Sequence, residues 1–235
     1  MFRVYFARVV SHGINTKNNV RFASFLNVKE KVKQLLGKED IKVPYEHICQ
    51  IGDPILRGRA MKIDPEVVQM PEFQKGVDQL IHVMRRYGAC GLSGPQIGLP
   101  WQVFAIEFTN EDLKKIEEAL RKIREVKIIP LTVFINPEIK IIDHTPIMCY
   151  EGCESIRGYS ASVPRAYEIE VTALNRSAQQ FTWRAQGWSA RIAQHEHDHL
   201  QGKMYIDKMD INTFHCIHWE RINKDSGNVR LTYLP

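Results

Sequence analysis

The spacing of apolar residues along this 235-residue chain predicts two helices. One begins at Pro71 and ends near Gly88, and the other spans about 187–201 and is followed by Gly202, a residue typical of a helix C-terminal cap. The apolar face of the first helix is typical of a core element and consists of Phe73, Val77, Leu80, Ile81 and Met84. The stripe along the second helix includes two histidines and consists of Trp188, Ile192, His195 and His199.

Between the helices, alternating apolar and polar positions predict short strands. They lie at 101–108, 131–135, 138–143, 167–174 and 179–184, and residues 175–178 form a hairpin turn. Short strands that surround one helix favour an α+β fold.

Three further segments are predicted less directly from the pattern. Asn110 is placed to cap a charged helix, and residues 110–127 are interpreted as a surface insertion. The apolar side of that helix would consist of Leu113, Ile116, Leu120 and Ile123. A short helix is also predicted within 25–39, and a last strand within 229–234.

The formal net charge of +5 comes from one end of the chain. Residues 1–29 contain no Asp or Glu, and their five basic residues account for the excess of 32 basic over 27 acidic residues. An acid-free segment with dispersed arginines is typical of a mitochondrial transit peptide. A basic arm that binds nucleic acid is the weaker alternative, because the rest of the chain is neutral. No stretch approaches 18 apolar residues, so no membrane span is predicted.

Residues 195–199 have the sequence HEHDH, which on a helix provides two ligands and a base for a metal site. His195 and His199 are one turn apart on the same face, so their rings can hold one cation. Glu196 lies beside that face, within reach of a water bound to the cation. His197 points roughly 100° or more away and is interpreted as a neighbour.

A catalytic metal site usually has three protein ligands and an open position for water. The best third ligand is Cys153, because the preceding Gly152 lets the backbone approach a ligand closely. Cys149 is its rival but has no flanking glycine. The five cysteines show no evident disulfide framework, which fits a reducing compartment where a thiolate can bind metal. Such a site suits hydrolysis, with Glu196 accepting the proton of the water.

Two other interpretations of the HEHDH segment stay open. A metallopeptidase would use a later residue as its third ligand, and the only later histidines are His215 and His218. A metal-binding module without catalysis would not need Glu196 as a base.

Three segments of the chain resemble the motifs of peptide deformylases. They are residues 91–96 (GLSGPQ), 151–155 (EGCES) and 194–200 (QHEHDHL), in the order and with separations similar to those of the family. Residues 52–57 (GDPILR) and 163–165 (VPR) are also similar, so the resemblance covers about 50–207.

The resemblance implies a peptide-deformylase-like α+β fold, with short antiparallel strands in sheets around a central metal-binding helix. Together with the acid-free leader, it divides the chain into a transit peptide and N-terminal extension (1–40), a catalytic domain (41–210) that contains the insertion 110–127, and a C-terminal tail (211–235).

The resemblance also implies a reaction, the hydrolysis of the formyl group from formyl-methionine at the N-terminus of nascent polypeptides, with release of formate. The leader would place this reaction in the mitochondrial matrix. The cofactor would be one divalent ion per chain, Fe²⁺ or Zn²⁺, with Co²⁺ also suiting one thiolate and two imidazoles. The mitochondrial ribosome is a candidate partner, direct nucleic-acid binding is not expected, and the oligomeric state is open, with a homodimer among the options.

Oxyanion and support roles follow from the same resemblance. The side-chain amide of Gln96 and the backbone N–H of Glu154 would stabilise the negative charge that develops on the formyl oxygen. Asp198 and Arg165 would form an ion pair that supports the metal helix.

Substrate-binding roles are implied as well. Backbone groups of Cys90, Gly91 and Gly152 would pair with the extended substrate. Trp188 and Ile192 would line a pocket for the methionine side chain or, equally well, belong to the core.

The chain departs from the family pattern at Glu154, where Leu is usual. If only the N–H of that residue acts, the change is tolerated. A carboxylate that turned towards the metal would oppose the oxyanion and weaken turnover. Ala89 replaces a usual Gly and Ser93-Gly94 replaces Ala-Ala, but these small residues should preserve the tight turn.

Overall fold

The computed structural model describes residues 43–235, so the predicted transit peptide and the helix predicted within 25–39 lie outside the described residues. Across this range the strands form one six-stranded antiparallel sheet. The strands are β1 (Gly91–Ser93), β2 (Val103–Phe108), β3 (Ile129–Gly152), β4 (Tyr159–Leu174), β5 (Gln180–Gln186) and β6 (His215–Cys216). β1 to β5 are neighbours in chain order, and β6 pairs with β4.

The helices are α1 (Pro65–Val68), α2 (Pro71–Arg86), α3 (Asn110–Lys114), α4 (Glu118–Ile123), α5 (Gly187–Leu200) and α6 (Trp219–Lys224). Short 3₁₀ helices occur at Pro54–Arg57, Gly94–Ile97, Glu154–Ile156, Tyr205–Asp207 and Ile211–Thr213. In the range 43–235, no helix is long and apolar enough to cross a membrane. The α+β class is confirmed by this arrangement of helices against an antiparallel sheet.

α2 and α5 pack on the sheet and between them create most of the core. α2 begins with Pro71 at its first position, which suits a helix start because that N–H needs no intrahelical partner. Its predicted apolar face is buried against β1 and β2. α5 contacts β1 to β5, and the buried residues on its apolar side are Ala190, Ile192, Ala193 and Leu200.

Gly202 ends α5 in the predicted way. Its φ is +70°, a left-handed conformation that favours glycine, and its N–H donates to the carbonyl of His199 at 3.1 Å. A Cβ at this position would lie 2.6 Å from the carbonyl oxygen of Arg57. Only glycine therefore fits, and the end of α5 is fixed against the segment that precedes α1.

The strands predicted at 131–135 and 138–143 are parts of one 24-residue strand, β3, so the prediction of short strands was wrong here. The pairing of β3 with β4 shifts register three times, between positions 135 and 146. Such irregularities bend a long strand and interrupt its alternation. Because positions 144–149 are mostly exposed, no two-residue apolar period marks the strand in the sequence. The extension matters because β3 ends at Gly152, immediately before Cys153.

The insertion is two short helices rather than one. The cap is Thr109 and not Asn110, since the Thr109 hydroxyl accepts from the N–H of Asp112 at 3.2 Å. α3 stops early because the Arg121 side chain donates to the carbonyls of Ile116 and Lys114, groups that a continuous helix would use itself. The predicted apolar face is consequently open in part, and Ile123 is 78% exposed.

The last strand predicted within 229–234 was also wrong. These residues have no strand partner and lie against the body of the protein as an irregular tail. Leu231 packs 3.4 Å from the position a Cβ would take at Gly158, and the carbonyl of Tyr233 accepts a hydrogen bond from the Tyr87 hydroxyl at 2.5 Å. Residues 215–216 form the strand instead, as β6.

Candidate functional site

Three potential metal ligands converge where the end of β3 meets α5. The Cys153 sulfur lies 3.3 Å from Nε2 of His199, and the ligand atoms of Cys153, His195 and His199 are all within 4.8 Å of one another. Among residues 43–235 no other group of three His, Cys, Asp or Glu side chains comes together in this way. Neither the rival Cys149 nor the two later histidines on which a metallopeptidase would depend belong to this group.

The electrostatics of the two rings suit cation binding. Burial, helped by the charge of His195, lowers the pKa of His199 well below its ordinary value, so this ring stays in the neutral form that binds metal. Burial also disfavours charge on His195, but hydrogen bonds with Cys153 and Glu151 outweigh it and raise the pKa well above its ordinary value. The thiol and carboxylate beside His195 thus create a site that favours positive charge.

Glu151 fixes the orientation of the His195 ring. Its Oε2 lies 2.9 Å from Nδ1 of His195, which leaves Nε2 free for a metal. The Arg165 guanidinium donates to both carboxylate oxygens at 2.9 and 2.8 Å, and Arg191 donates to Oε1 at 2.6 Å. Burial alone would raise the pKa of Glu151, but the hydrogen bonds with Arg165 and His195 hold it well below its usual range. Carboxylate–histidine pairs of this kind are the usual support for a metal-binding imidazole.

The predicted ion pair between Arg165 and Asp198 is present and belongs to the same network. Lys208 also contacts Asp198, with Nζ 2.7 Å from Oδ1. Arg165 is 3% exposed, so its charge is compensated inside the protein by Glu151 and Asp198. The network connects β3, β4 and α5 directly behind the His195 ring.

Glu196 is buried in contact with β1. The hydroxyl of Ser93 lies 2.7 Å from Oε2 of Glu196 and 2.8 Å from its backbone carbonyl. Burial raises the pKa of Glu196, and the positive charge of His195 and the Ser93 hydrogen bond oppose that shift only in part. A Cβ at Gly91 would lie 2.8 Å from Oε1 of Glu196, so the glycine lets β1 approach the acid closely.

Gln96 is aimed at the metal ligands and does not face water. Its Oε1 accepts from the N–H of Ser93 at 2.9 Å, which orients the amide. Its Nε2 then lies 3.5 Å from the Cys153 sulfur and 3.2 Å from the Ser155 hydroxyl. The capping arrangement of the 3₁₀ helix Gly94–Ile97 thus places one N–H₂ donor beside the convergent ligands.

The carboxylate of Glu154 faces Arg157. Its Oε2 lies 3.6 Å from Nε of Arg157, three residues along the 3₁₀ turn. The backbone carbonyl of Glu154 accepts from Nε2 of Gln50 at 2.7 Å, which fixes the turn. Glu154 is the residue after Cys153, so its backbone N–H is at the chain position where an oxyanion donor is expected.

A cleft of about 500 Å³ opens onto this group of side chains. It is lined by Cys90, Gly91 and Gln96 from the segment around β1, and by Gly152, Cys153 and Glu154 from the end of β3. α5 lines it through Trp188, Arg191, Ile192, His195 and Glu196. Every residue predicted for substrate binding lines this cleft.

Trp188 and Ile192 serve the core as well as the cleft. The Trp188 ring meets Phe108 edge-on, with centroids 4.5 Å apart, and Ile192 is 6% exposed. Cys90 is constrained too, because its carbonyl already accepts from the N–H of Glu107 at 3.0 Å. Burial, with a smaller effect of the Glu196 charge, raises the pKa of the Cys90 thiol to about 12, so it is not a competing thiolate ligand.

Several residues of the site were missed by the sequence analysis: Ser93, Glu151, Arg157, Arg191 and Tyr205. The ring of Tyr205 stacks on His195 with centroids 6.4 Å apart. Two of them had a local signal. Glu151 precedes Cys153 by two, and residues two apart in an extended strand share a face, while Arg157 follows its ion-pair partner Glu154 by three. The contacts of Ser93 with Glu196, of Arg191 with Glu151 and of Tyr205 with His195 follow no local period.

Comparisons with known proteins agree with this geometry. A family model described as polypeptide deformylase matches residues 45–214. The chain is similar to the mitochondrial peptide deformylase of Homo sapiens, with 42% identity over 180 residues that cover 77% of this chain and 74% of that protein. It is also similar to peptide deformylase 1A, chloroplastic/mitochondrial, of Arabidopsis thaliana, with 35% identity over 210 residues that cover 88% and 78%.

Solved structures show the same similarity. The peptide deformylase of Thermotoga maritima superposes with a TM-score of 0.59 at 28% identity and covers 71% of this chain and 98% of its own. A peptide deformylase of Synechococcus elongatus in complex with actinonin superposes with a TM-score of 0.61 at 26% identity, covering 81% and 93%.

Proposed function

We propose roles for the residues of the site and a cellular location for the protein. Both start from the premise that the chain belongs to the peptide deformylase family. It is accordingly a metal-dependent hydrolase that removes the formyl group from the N-terminus of polypeptides, and the metallopeptidase alternative is not favoured. The observation that carries the proposal is the convergence of one cysteine and two histidines, of which Cys153 and His195 line an open cleft.

Cys153, His195 and His199 would hold the divalent cation. Their donor set of one sulfur and two imidazole nitrogens fits Fe²⁺, Zn²⁺ or Co²⁺, and Glu151 leaves one nitrogen of His195 available. When bound, the cation acts as a Lewis acid and makes hydroxide available at neutral pH.

Glu196 would move the proton. Its buried carboxylate, held by Ser93, would accept a proton from water during attack on the formyl carbon and then deliver it to the leaving nitrogen. The amide of Gln96 and the N–H of Glu154 would donate to the formyl oxygen as it becomes negative. Both donors are held by backbone contacts, so little reorganisation is needed in the transition state.

The substrate would be formyl-methionine at the start of an extended peptide. β1 is an edge strand, so Gly91 would present backbone groups to one side of the peptide. Cys90, whose carbonyl already pairs with Glu107, and Gly152 would contact the peptide as lining residues of the cleft. The methionine side chain would lie over α5 against Trp188 and Ile192, which supply the apolar part of the cleft.

The place of action would be the mitochondrial matrix. The acid-free segment 1–29 and the mitochondrial names of the two relatives support this assignment. Residues 1–40 fused to a fluorescent protein are expected to direct it to mitochondria, and a fusion with Arg3, Arg8 and Arg21 replaced by Gln should stay outside. Diffuse fluorescence of the first fusion would refute the assignment.

A contact with the mitochondrial ribosome and the oligomeric state stay predictions. Co-sedimentation would measure the first, and light scattering the second.

Formate release from formyl-Met-Ala-Ser tests the proposed roles. Protein stripped of metal and reloaded with Fe²⁺ (under anaerobic conditions), Zn²⁺ or Co²⁺ is expected to release formate with at least one of them. Gln96→Ala should lower kcat by about 10²–10³-fold, since one oxyanion donor is lost. Gln69→Ala is the matched control, because the Gln69 side chain donates to the carbonyl of Ser177 and does not line the cleft. If no metal supported formate release, the proposed function would be refuted. An unchanged kcat in Gln96→Ala would refute the role of Gln96 as an oxyanion donor.

A further inference from the structure

Glu154 and Arg157 form an ion pair on the wall of the cleft. They lie at the two ends of the turn that follows the metal-binding Cys153, and both side chains line the cleft. Oε2 of Glu154 and Nε of Arg157 are 3.6 Å apart. Oε2 of Glu154 and Nη1 of Arg157 are both shielded from solvent and have no hydrogen-bond partner among residues 43–235. The two charges therefore depend on each other for compensation.

Gln50 fixes the backbone of this turn at both ends. Its Nε2 donates to the carbonyl of Glu154 at 2.7 Å, and its Oε1 accepts from the N–H of Arg157 at 3.5 Å. The side chains of Glu154 and Arg157 thus project from a turn whose backbone is fixed by hydrogen bonds.

Tyr87 also contacts the guanidinium of Arg157. Arg157 lies over the Tyr87 ring at 5.8 Å from the centroid, within the range of a cation–π contact. The Tyr87 hydroxyl donates to the carbonyl of Tyr233 at 2.5 Å and accepts from the N–H of Ile48 at 3.4 Å. Arg157 consequently contacts both an aromatic ring and a carboxylate.

The charge of Glu154 is a problem for the reaction unless it is compensated. Its own N–H is one of the proposed donors to the formyl oxygen, so the carboxylate belongs to a residue that would contact the developing negative charge. A like charge at short range, in a cleft partly shielded from water, destabilises that transition state. An arginine 3.6 Å from the carboxylate offsets this penalty and holds the carboxylate towards the far end of the turn.

We infer that Arg157 is a positioning residue for deformylation, which acts by neutralising and orienting the Glu154 carboxylate so that it does not oppose the oxyanion. The inference rests on the proposed function, since the oxyanion forms only if the formyl group is the substrate. Efficient turnover would therefore require Arg157 when residue 154 is Glu, and would not require it when residue 154 has no charge.

A double-mutant cycle on the metal-loaded, full-length enzyme tests this dependence, with formyl-Met-Ala-Ser as substrate. Arg157→Ala should lower kcat about fivefold to tenfold with little change in KM, because the penalty arises in the transition state. Arg157→Lys should restore most of kcat, since it keeps the charge. Glu154→Gln should raise kcat above that of the wild type. In the Glu154→Gln background, Arg157→Ala should change kcat less than about twofold.

The control is Arg184→Ala, which removes an arginine from an exposed ion pair with Glu168 outside the cleft and should leave kcat unchanged. Equal losses from Arg157→Ala in both backgrounds would overturn the inference, because Arg157 would then act independently of Glu154. An unchanged kcat in Arg157→Ala would also overturn it. A wild-type enzyme that releases no formate would instead overturn the proposed function on which the inference rests.

Discussion

Replacing Glu196 by Gln is expected to abolish most formate release, by about 10²–10⁴-fold in kcat, while the chain stays folded and keeps its metal. The amide has nearly the same shape and can accept the Ser93 hydrogen bond that the carboxylate accepts now. It cannot take a proton from water at neutral pH. The loss should therefore appear in kcat rather than in metal content, because Glu196 is not one of the three convergent ligands.

The fold should not suffer from this substitution. Glu196 is 4% exposed, and burying a carboxylate with one hydroxyl partner costs free energy that a neutral amide does not require. The melting temperature of Glu196→Gln should equal or exceed that of the wild type. Glu138→Gln serves as the control, since Glu138 is exposed and pairs with Lys62 on the surface. Equal kcat values for Glu196→Gln and the wild type would show that another group is the base.

The sequence was sufficient to predict the part of the site that follows local periodicity. His195, Glu196 and His199 are positioned by the geometry of one helix, and a helix presents residues four apart on one face whatever surrounds it. Gly202 was predictable for the same reason, because a helix end needs a residue that tolerates a positive φ.

Other parts of the site depend on pairing between distant segments. The contact between Glu151 and His195 joins residues 44 positions apart, and the contact between Ser93 and Glu196 joins residues 103 positions apart. Neither has a spacing that a local period can reveal. Cys153 and Gln96 were identified through the resemblance of short motifs, and their distances to the histidines became visible only in the folded chain.

The differences between the predicted and the observed secondary structure also arise where contacts outside the local period decide the outcome. Positions 144–149 of β3 are mostly exposed, so the part of the strand that leads to Cys153 has no apolar alternation. The insertion has a helical period, but the side chain of Arg121 competes for the carbonyls that would continue α3. In the tail, residues 229–234 alternate as a strand would, but Leu231 packs beside Gly158 and the carbonyl of Tyr233 accepts from the Tyr87 hydroxyl, while β6 takes the pairing with β4.

Replacing Cys153 by Ala is expected to remove both metal and activity. Two imidazoles would remain of the three-ligand set, and a four-coordinate divalent site with two protein ligands binds weakly. We expect formate release to fall by more than about 10³-fold, because the Lewis acid that makes hydroxide available at neutral pH would be absent. The metal content measured by atomic emission after dialysis should fall to about a tenth of the wild-type value or less.

Cys149→Ala is the matched control for this substitution. Cys149 lies four residues earlier, within β3, and is outside the group of convergent ligands, so its loss should leave metal and turnover intact. Far-ultraviolet circular dichroism should show that both variants fold, since Cys153 is only partly buried and Ala fills a similar space. If Cys153→Ala kept its metal and Cys149→Ala lost it, the ligand set would be wrong. If both kept metal and peptidase activity appeared, the helix would serve a different hydrolase, because a peptidase site does not need a sulfur from the end of β3.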